Sequence, residues 1–287
     1  MWSFNYDSPK EISELLEREN LAMSKKFGQN FLISRSARER ILSLIAPTAE
    51  TSLWEIGPGI GAITSLVLKS GAHVKAFEID NGFCRILKEE AFKDEKNFSL
   101  VQGDALKTLF SQEDKADIIY GNLPYNVGSV CIAKLIENSI LPPRMVFTLQ
   151  KEVAQRMCAT PSSDEYSSFS ILTQLDYINR EAFSIGKSSF YPQPNVESSV
   201  VVMEKRKERI VSDELRVIFL PLVRDLFAQR RKNIRNNLLS GFVGKRGGKS
   251  KVEELLKLSG FSGSERAENF GFEELIKLAE NVPSLKL

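Results

Sequence analysis

The feature that most constrains the fold is a run of alternating patterns across residues 52–150. The apolar stretches SLWEIG, HVKAFEID, FSLVQGDA, ADIIYGN and RMVFTLQ are separated by helical periodicity beginning near Ala62, across FCRILKEEAF and over residues 132–136. Buried strands that alternate with helices form a doubly wound, mostly parallel sheet, because neighbouring parallel strands must be joined by a crossover. AFSIGKSSF and SSVVVMEK then follow each other without a long helix, which predicts an antiparallel hairpin closing one sheet edge. Beyond Lys205 no strand run remains, and residues 215–227, 232–239, 252–258 and 273–279 read as short amphipathic helices. The expectation is a Rossmann-like α/β domain over residues 1–207, with an N-terminal helical extension, followed by a small all-α domain over residues 208–287. The boundary is placed near residues 206–212, and GKRGGKS within the second domain reads as a flexible basic connector.

Composition narrows the function. Hydrophobic residues make up 42% and charged residues 26%, and no apolar run approaches the roughly 20 residues that span a bilayer. The N-terminus MWSFNYDSPKEISELL lacks a basic region followed by an apolar stretch, so a cytoplasmic protein without a membrane partner is expected. Ser8 followed by Pro9 and Glu11 predicts a capped helix. Cys84, Cys131 and Cys158 fit neither a disulfide framework nor a zinc site. His73 is the only histidine and opens a strand, so a metal site is not expected and His73 reads as structural. Net charge is only +2, yet residues 205–251 carry 14 Lys or Arg against 4 Asp or Glu. Such asymmetry suits a polyanionic partner, although solvated helix faces would also account for part of it.

The chemistry concentrates at the ends of the predicted strands. EIGPGIGAIT places Gly57, Gly59 and Gly61 between a strand and a helix, a backbone that lets a ligand approach closely and that differs from the dinucleotide spacing G-x-G-x-x-G. The next strand ends in Glu78, where a carboxylate can accept from both hydroxyls of a ribose. The third ends in GDA, which places Asp104 to accept from an adenine amino group. The fourth ends in GNLPYN, residues 121–126, where a buried strand meets a forced bend. Methyl transfer from a sulfonium to an exocyclic adenine amine needs an acceptor nitrogen held in line, with carbonyl oxygens taking its hydrogens. Asn122 supplies one such oxygen, the Leu123 backbone a second aimed by Pro124, and Tyr125 an aromatic face for an extruded base. In SSFYPQPNVESS, Phe190 is either the opposite face of a base sandwich or a buried ring in a proline-stiffened loop. FAQRRKNIRNNL spaces Arg231 and Arg235 four apart on an expected helix, beside Arg230 and Lys232, as a phosphate-gripping face or a solvated one.

Taken together, KKFGQNFL, EIGPGIGAIT, FEID, GDAL, GNLPYN, LQKEVAQRM, FYPQPNVESSVV and FAQRRKNIRNNL resemble the small-subunit ribosomal RNA adenine dimethyltransferases, in unbroken order over about residues 25–240. The resemblance implies a class I methyltransferase fold and S-adenosyl-L-methionine as cofactor. It implies dimethylation of two adjacent adenines in a hairpin loop near the 3′ end of small-subunit RNA, with immature small subunits as partner and a monomeric enzyme. Carried over by position, Asn30, Leu32, Gly57, Gly59, Glu78, Ile79, Asp104 and Asn122 line the cofactor pocket, with Ile79 against the adenine. Asn122, Leu123, Pro124 and Tyr125 become the amine clamp and Phe190 the second stacking face. Arg230, Arg231, Lys232 and Arg235 fall to RNA binding. Ser34 stands where the family usually has Asp, and Ser167 where it usually has Gly. Three alternatives stay open at this point: a subunit-assembly factor with dispensable catalysis, a methyltransferase of the erythromycin-resistance type acting on large-subunit RNA, and, third, a dehydrogenase that binds NAD in place of S-adenosylmethionine.

Overall fold

The computed structural model describes residues 2–21 and 30–285. The KKFGQNFL loop, as far as Gln29, lies outside the described residues. The chain runs through α1 (Pro9–Arg18), β1 (Phe31–Leu32), α2 (Arg35–Ile45), β2 (Ser52–Ile56), α3 (Thr64–Leu68), β3 (His73–Glu78), α4 (Asn81–Ile86), β4 (Phe98–Gln102) and α5 (Ala105–Thr108). There follow β5 (Ile118–Asn122), α6 (Gly128–Glu137), β6 (Arg144–Gln150), α7 (Lys151–Cys158), α8 (Ser168–Leu175), β7 (Tyr177–Ile185), β8 (Phe190–Tyr191) and β9 (Ser198–Lys205). Four helices end the chain: α9 (Asp213–Leu226), α10 (Ile234–Ser240), α11 (Phe242–Ser259) and α12 (Phe272–Asn281).

Seven strands form one sheet in the order β4-β3-β2-β5-β6-β9-β7. β2 to β6 pair in parallel, and β9 runs antiparallel to β6 from Arg144↔Glu204 to Gln150↔Ser198. Strand order reverses between β2 and β5, and the carboxyl ends at such a reversal flank a crevice where open α/β sheets bind ligands. β7 and β9 are neighbours at the closed edge, but β7 begins at Tyr177, five residues before the expected run. The alternation YINREAF hid it, since an edge strand can carry outward charges such as Arg180.

Local chemistry explains the helix starts. Ser8 caps α1 by accepting from the Glu11 amide at 3.2 Å, with Pro9 at the first helical position. Ser34 caps α2 through the Ala37 amide at 3.3 Å, so the replacement of Asp by Ser leaves the cap intact. Ser167 adopts an extended backbone before α8, and its amide donates to Ser170 Oγ at 3.0 Å; glycine is not required there.

The chain divides into two compact units, Met1–Ala154 with Ile178–Lys205, and Gln155–Tyr177 with Arg206–Leu287. The expected boundary near residues 206–212 therefore describes only one of the crossings. Ala159, Tyr166, Ile171 and Leu175 join the helical core of Phe219, Leu222, Val223 and Leu226, and the Tyr166 hydroxyl donates to the Phe270 carbonyl at 2.9 Å. Those four α9 residues fall at helical spacing on one buried stripe. GKRGGKS is helical on both sides of a kink at Gly248, φ 68°, and not a free connector.

Candidate active site

The carboxyl ends of the parallel strands open into a cavity of about 330 Å³. Its walls come from Asn30, Phe31 and Leu32, the glycine loop, Glu78 and Ile79, Gly103 to Leu106, and Asn122 to Val127. Every expected cofactor-pocket residue thus reaches one cavity, although they span nearly a hundred positions of sequence.

Two glycines explain how the backbone makes room. Gly59 has φ +56° and donates its amide to Glu78 Oε2 at 3.1 Å, tying the loop to the next strand end. Gly121 is demanded by close approach, because a Cβ there would lie 2.4 Å from the Ile56 carbonyl oxygen across β2 and β5. Glu78 also accepts from the Asp80 amide at 2.9 Å through Oε1. Burial pushes its carboxyl up to about 7, against the pull of those backbone hydrogen bonds. Beneath the loop, Glu55 is buried and accepts from Thr64 Oγ1 at 2.6 Å and from the Tyr120 hydroxyl at 2.8 Å. Burial raises it to about 7 as well, with the neighbouring Glu78 adding to the rise. Sequence reasoning did not single out Glu55; a charged residue inside an apolar strand pattern was the available signal.

Asp104 caps α5 through Oδ1 to the Leu106 amide at 2.9 Å while lining the cavity. Ile79 is 44% exposed on that lining, an unusual position for a large apolar side chain and one suited to stacking against a purine. Cys131 also lines the cavity, and burial pushes its thiol up to about 12, so it is no nucleophile at neutral pH.

The bend after β5 is held from two sides. Asn122 Nδ2 donates to the Asn30 carbonyl at 3.0 Å, an orientation that leaves Oδ1 as the acceptor of the pair. The Leu123 amide donates to the Thr148 carbonyl at 3.1 Å, fixing the backbone ahead of Pro124. The Tyr125 hydroxyl and Ser198 Oγ lie 2.5 Å apart, which anchors the half-buried ring to fully buried Ser198. Ser198 is a second residue missed from sequence, since nothing local marks a serine as a tether 73 positions from its partner.

Phe190 does not fit the expected stacking role. It is 1% exposed and packed in the core with Leu32, Ile185 and Val200, because Leu32 pairs with it across the short β1/β8 ladder. The buried-ring alternative is the one adopted. The basic segment is also corrected: residues 227–233 form a turn, and α10 starts only at Ile234 behind the cap Asn233. Arg230 Nε pairs with Glu268 at 2.7 Å, and Arg235 Nη2 binds Glu253 at 3.1 Å and the Ser262 carbonyl at 2.7 Å. Arg231 and Lys232 are exposed on the turn.

A mostly parallel sheet with a glycine-rich crossover, a buried carboxylate at the end of β3 and an Asn-Leu-Pro-Tyr bend at its switch point defines a class I methyltransferase. The chain belongs to the ribosomal RNA adenine dimethylase family, which matches residues 20–269. It is 41% identical to a ribosomal RNA small subunit methyltransferase A from Treponema denticola, over 98% of this chain and 97% of that one. It is 37% identical to the protein of that name from Borrelia garinii, over 98% and 96%. A dimethyladenosine transferase from Plasmodium falciparum shares the fold at TM-score 0.76 and 22% identity, covering 88% of this chain and 98% of that one. The 23S rRNA methyltransferase ErmE shares it at TM-score 0.66 and 20% identity, covering 88% and 99%.

S-adenosylmethionine is the cofactor, and the cavity fits it. A Cβ at Gly57 would meet nothing within 4 Å, an open cradle beside the loop, while the lining supplies both an apolar plate at Ile79 and hydrogen-bond acceptors at Glu78 and Asp104. Among the described residues no group of His, Cys, Asp and Glu is arranged to hold a metal ion.

Proposed function

We propose that this protein transfers methyl groups to the N6 amines of two adjacent adenines in a hairpin loop near the 3′ end of small-subunit ribosomal RNA. The observation that carries the reading is the convergence of the nucleoside-binding residues and the Asn122 to Tyr125 bend on one cavity. When bound, S-adenosylmethionine supplies an electrophilic methyl group on a sulfonium. Asn122 Oδ1 and the Leu123 carbonyl accept the hydrogens of the target amine and orient its lone pair. Tyr125, anchored on Ser198, stacks on the extruded base. Each transfer breaks a sulfur–carbon bond, forms a nitrogen–carbon bond and releases the amine proton to solvent. After the first transfer one amine hydrogen remains, so one of the two carbonyls is then enough to orient the nitrogen.

The preferred substrate in this reading is an immature small subunit, met in the cytoplasm by a monomeric enzyme whose activity accompanies subunit maturation. Among the described residues no helix is long and apolar enough to cross a membrane. The test is methyl transfer from labelled cofactor to unmethylated small-subunit particles and, separately, to large-subunit RNA, followed by nucleoside analysis. Dimethyladenosine at adjacent positions of the small-subunit RNA is expected. Transfer only to large-subunit RNA would reassign the chain to the resistance type, and cofactor binding without transfer would favour an assembly factor.

For the helical unit, Arg231 and Lys232 are the residues of the basic turn assigned to phosphate. Replacing both with Gln should lower the slope of log affinity against log salt by roughly 1.4 to 1.8, about 0.7 to 0.9 for each phosphate no longer neutralised. Filter binding to the small-subunit RNA between low and physiological salt measures it, and an unchanged slope would return both side chains to ordinary surface.

A further inference from the structure

We propose that the N-terminal segment, residues 2–21, backs the side chains that wall the cofactor pocket and is latched to them by Arg38, so that this segment sets cofactor affinity. The inference deepens the cofactor reading above and rests on it.

The family match begins at residue 20, so α1 precedes it. A ten-residue helix is not stable alone in water and must dock its apolar stripe. Ile12, Leu15 and Leu16, together with Tyr6, pack with Phe31, Ile60, Phe83 and Ile86. Phe31, Ile60 and Phe83 also line the cavity. These three side chains therefore face the ligand space on one side and the N-terminal segment on the other. At the far end Leu21 leans on the start of α4, where a Cβ at Gly82 would lie 2.1 Å from Leu21 Cδ2. Ion pairs Arg18–Glu90 at 2.6 Å and Arg85–Glu19 at 2.7 Å flank this packing, but they are partly exposed and contribute little.

Arg38 is the element that cannot be neutral to the arrangement. It reaches from α2 and is 4% exposed. Nη1 donates to the Leu32 carbonyl at 2.8 Å and to the Tyr6 carbonyl at 3.2 Å, while Nη2 pairs with Asp7. A buried guanidinium must keep its acceptors, and a planar fork fixes their relative positions. One acceptor lies on the cavity strand β1 and two on the N-terminal segment, so one cannot shift without the other. β1 carries Phe31 and Leu32 of the pocket, and the Asn30 carbonyl just ahead of it holds Asn122. Arg38 is thus a positioning residue that acts on the cofactor wall through Leu32.

The test uses the full chain with Asp7→Ala and, separately, Arg38→Met. Isothermal titration with S-adenosylhomocysteine should show binding weakened about threefold or more for Asp7→Ala. For Arg38→Met the loss should be about tenfold or more, equivalent to ~1.4 kcal/mol. The KM for S-adenosylmethionine should rise by the same factors, with the KM for RNA within about twofold of wild type. A merely structural role would lower the melting temperature and the folded fraction but leave the affinity of the folded protein unchanged. Wild-type affinity in Asp7→Ala overturns the proposal, whether or not Arg38→Met folds. If the unaltered protein fails to bind S-adenosylhomocysteine, the cofactor reading itself falls and takes the proposal with it, a result distinct from a latch that does nothing.

Discussion

An Asn122→Ala protein is expected to lose about 10²- to 10³-fold in kcat, comparable to removing one preorganised hydrogen-bond partner from a reacting centre. S-adenosylhomocysteine binding should stay within a few-fold. The two ends of the Asn122 amide have separate tasks. Its Nδ2 is committed to the Asn30 carbonyl at 3.0 Å, so Oδ1 is already oriented and needs no reorganisation when the amine arrives. An adenine amine is a weak nucleophile because its lone pair is shared with the ring, and the acceptor's work is done in the transition state, where that lone pair localises. Loss should therefore appear in kcat and not in the KM for RNA. Asn122→Asp sharpens the test. It keeps an acceptor but sets a carboxylate oxygen against the Asn30 carbonyl, so the bend should loosen and the rate should fall between wild type and alanine. Single-turnover methylation with both substrates saturating is the measurement. An alanine variant with wild-type kcat would remove Asn122 from the chemistry and leave the backbone carbonyl of Leu123 as sole acceptor.

The parts of this fold legible in the sequence were those dictated by neighbours along the chain. β2, β3, β5 and β6 are largely buried, so their apolar runs announce strands, and the residues that follow them mark the ligand crevice. Glu78 and Asp104 were legible as lining of that crevice because each sits at or just past the carboxyl end of a parallel strand, although Asp104 also serves as the cap of α5. What escaped was set by partners distant in sequence. Asn30 meets Asn122 across 92 positions and Tyr125 meets Ser198 across 73, and neither pair leaves a local trace. Arg230 and Arg235 read as free cations because Glu268 and Glu253, which engage them, lie 38 and 18 residues away. Phe190 read as a stacking face because the motif FYPQP states rigidity, not direction; its register opposite Leu32 turns the ring inward. Residues 155–177 joined the helical unit for a reason no composition shift displays, namely that Tyr166, Ile171 and Leu175 complete its core.

In the proposed reading Glu78 accepts from both ribose hydroxyls and must be ionised to do so, so cofactor affinity should rise with pH and level off above about 7. Burial raises its carboxyl from the ordinary 4.5 to about 7, so at pH 6 most of the free protein carries the neutral form. Hydrogen bonds to the carboxylate favour the charged form, and binding therefore releases a proton as the carboxyl is drawn back down. For a midpoint near 7, the dissociation constant of S-adenosylhomocysteine should be about tenfold weaker at pH 6 than at pH 8. Stability of the free protein runs the other way. The folded state holds protons on Glu78 and Glu55 up to about 7, whereas the unfolded chain releases them near 4.5, so stability falls as pH rises through that window. Stabilisation by the ligand should accordingly grow across the same range. Glu78→Gln is the decisive variant. An amide has one oxygen for the Gly59 and Asp80 amides that the carboxylate serves with two, and none of the charge that strengthens them. Its affinity at pH 8 should drop by about 10²-fold, since hydrogen bonds to charged groups are worth ~1.5 to 3 kcal/mol each, and its pH dependence should vanish. Glu55→Gln should leave most of the pH dependence in place, because Glu78 lines the cavity whereas Glu55 is held beneath the loop by Thr64 and Tyr120. Titration calorimetry of both variants between pH 6 and 8 separates them. If Glu55→Gln flattens the profile and Glu78→Gln does not, the titrating group is the one beneath the glycine loop, and Glu78 meets the ribose already ionised.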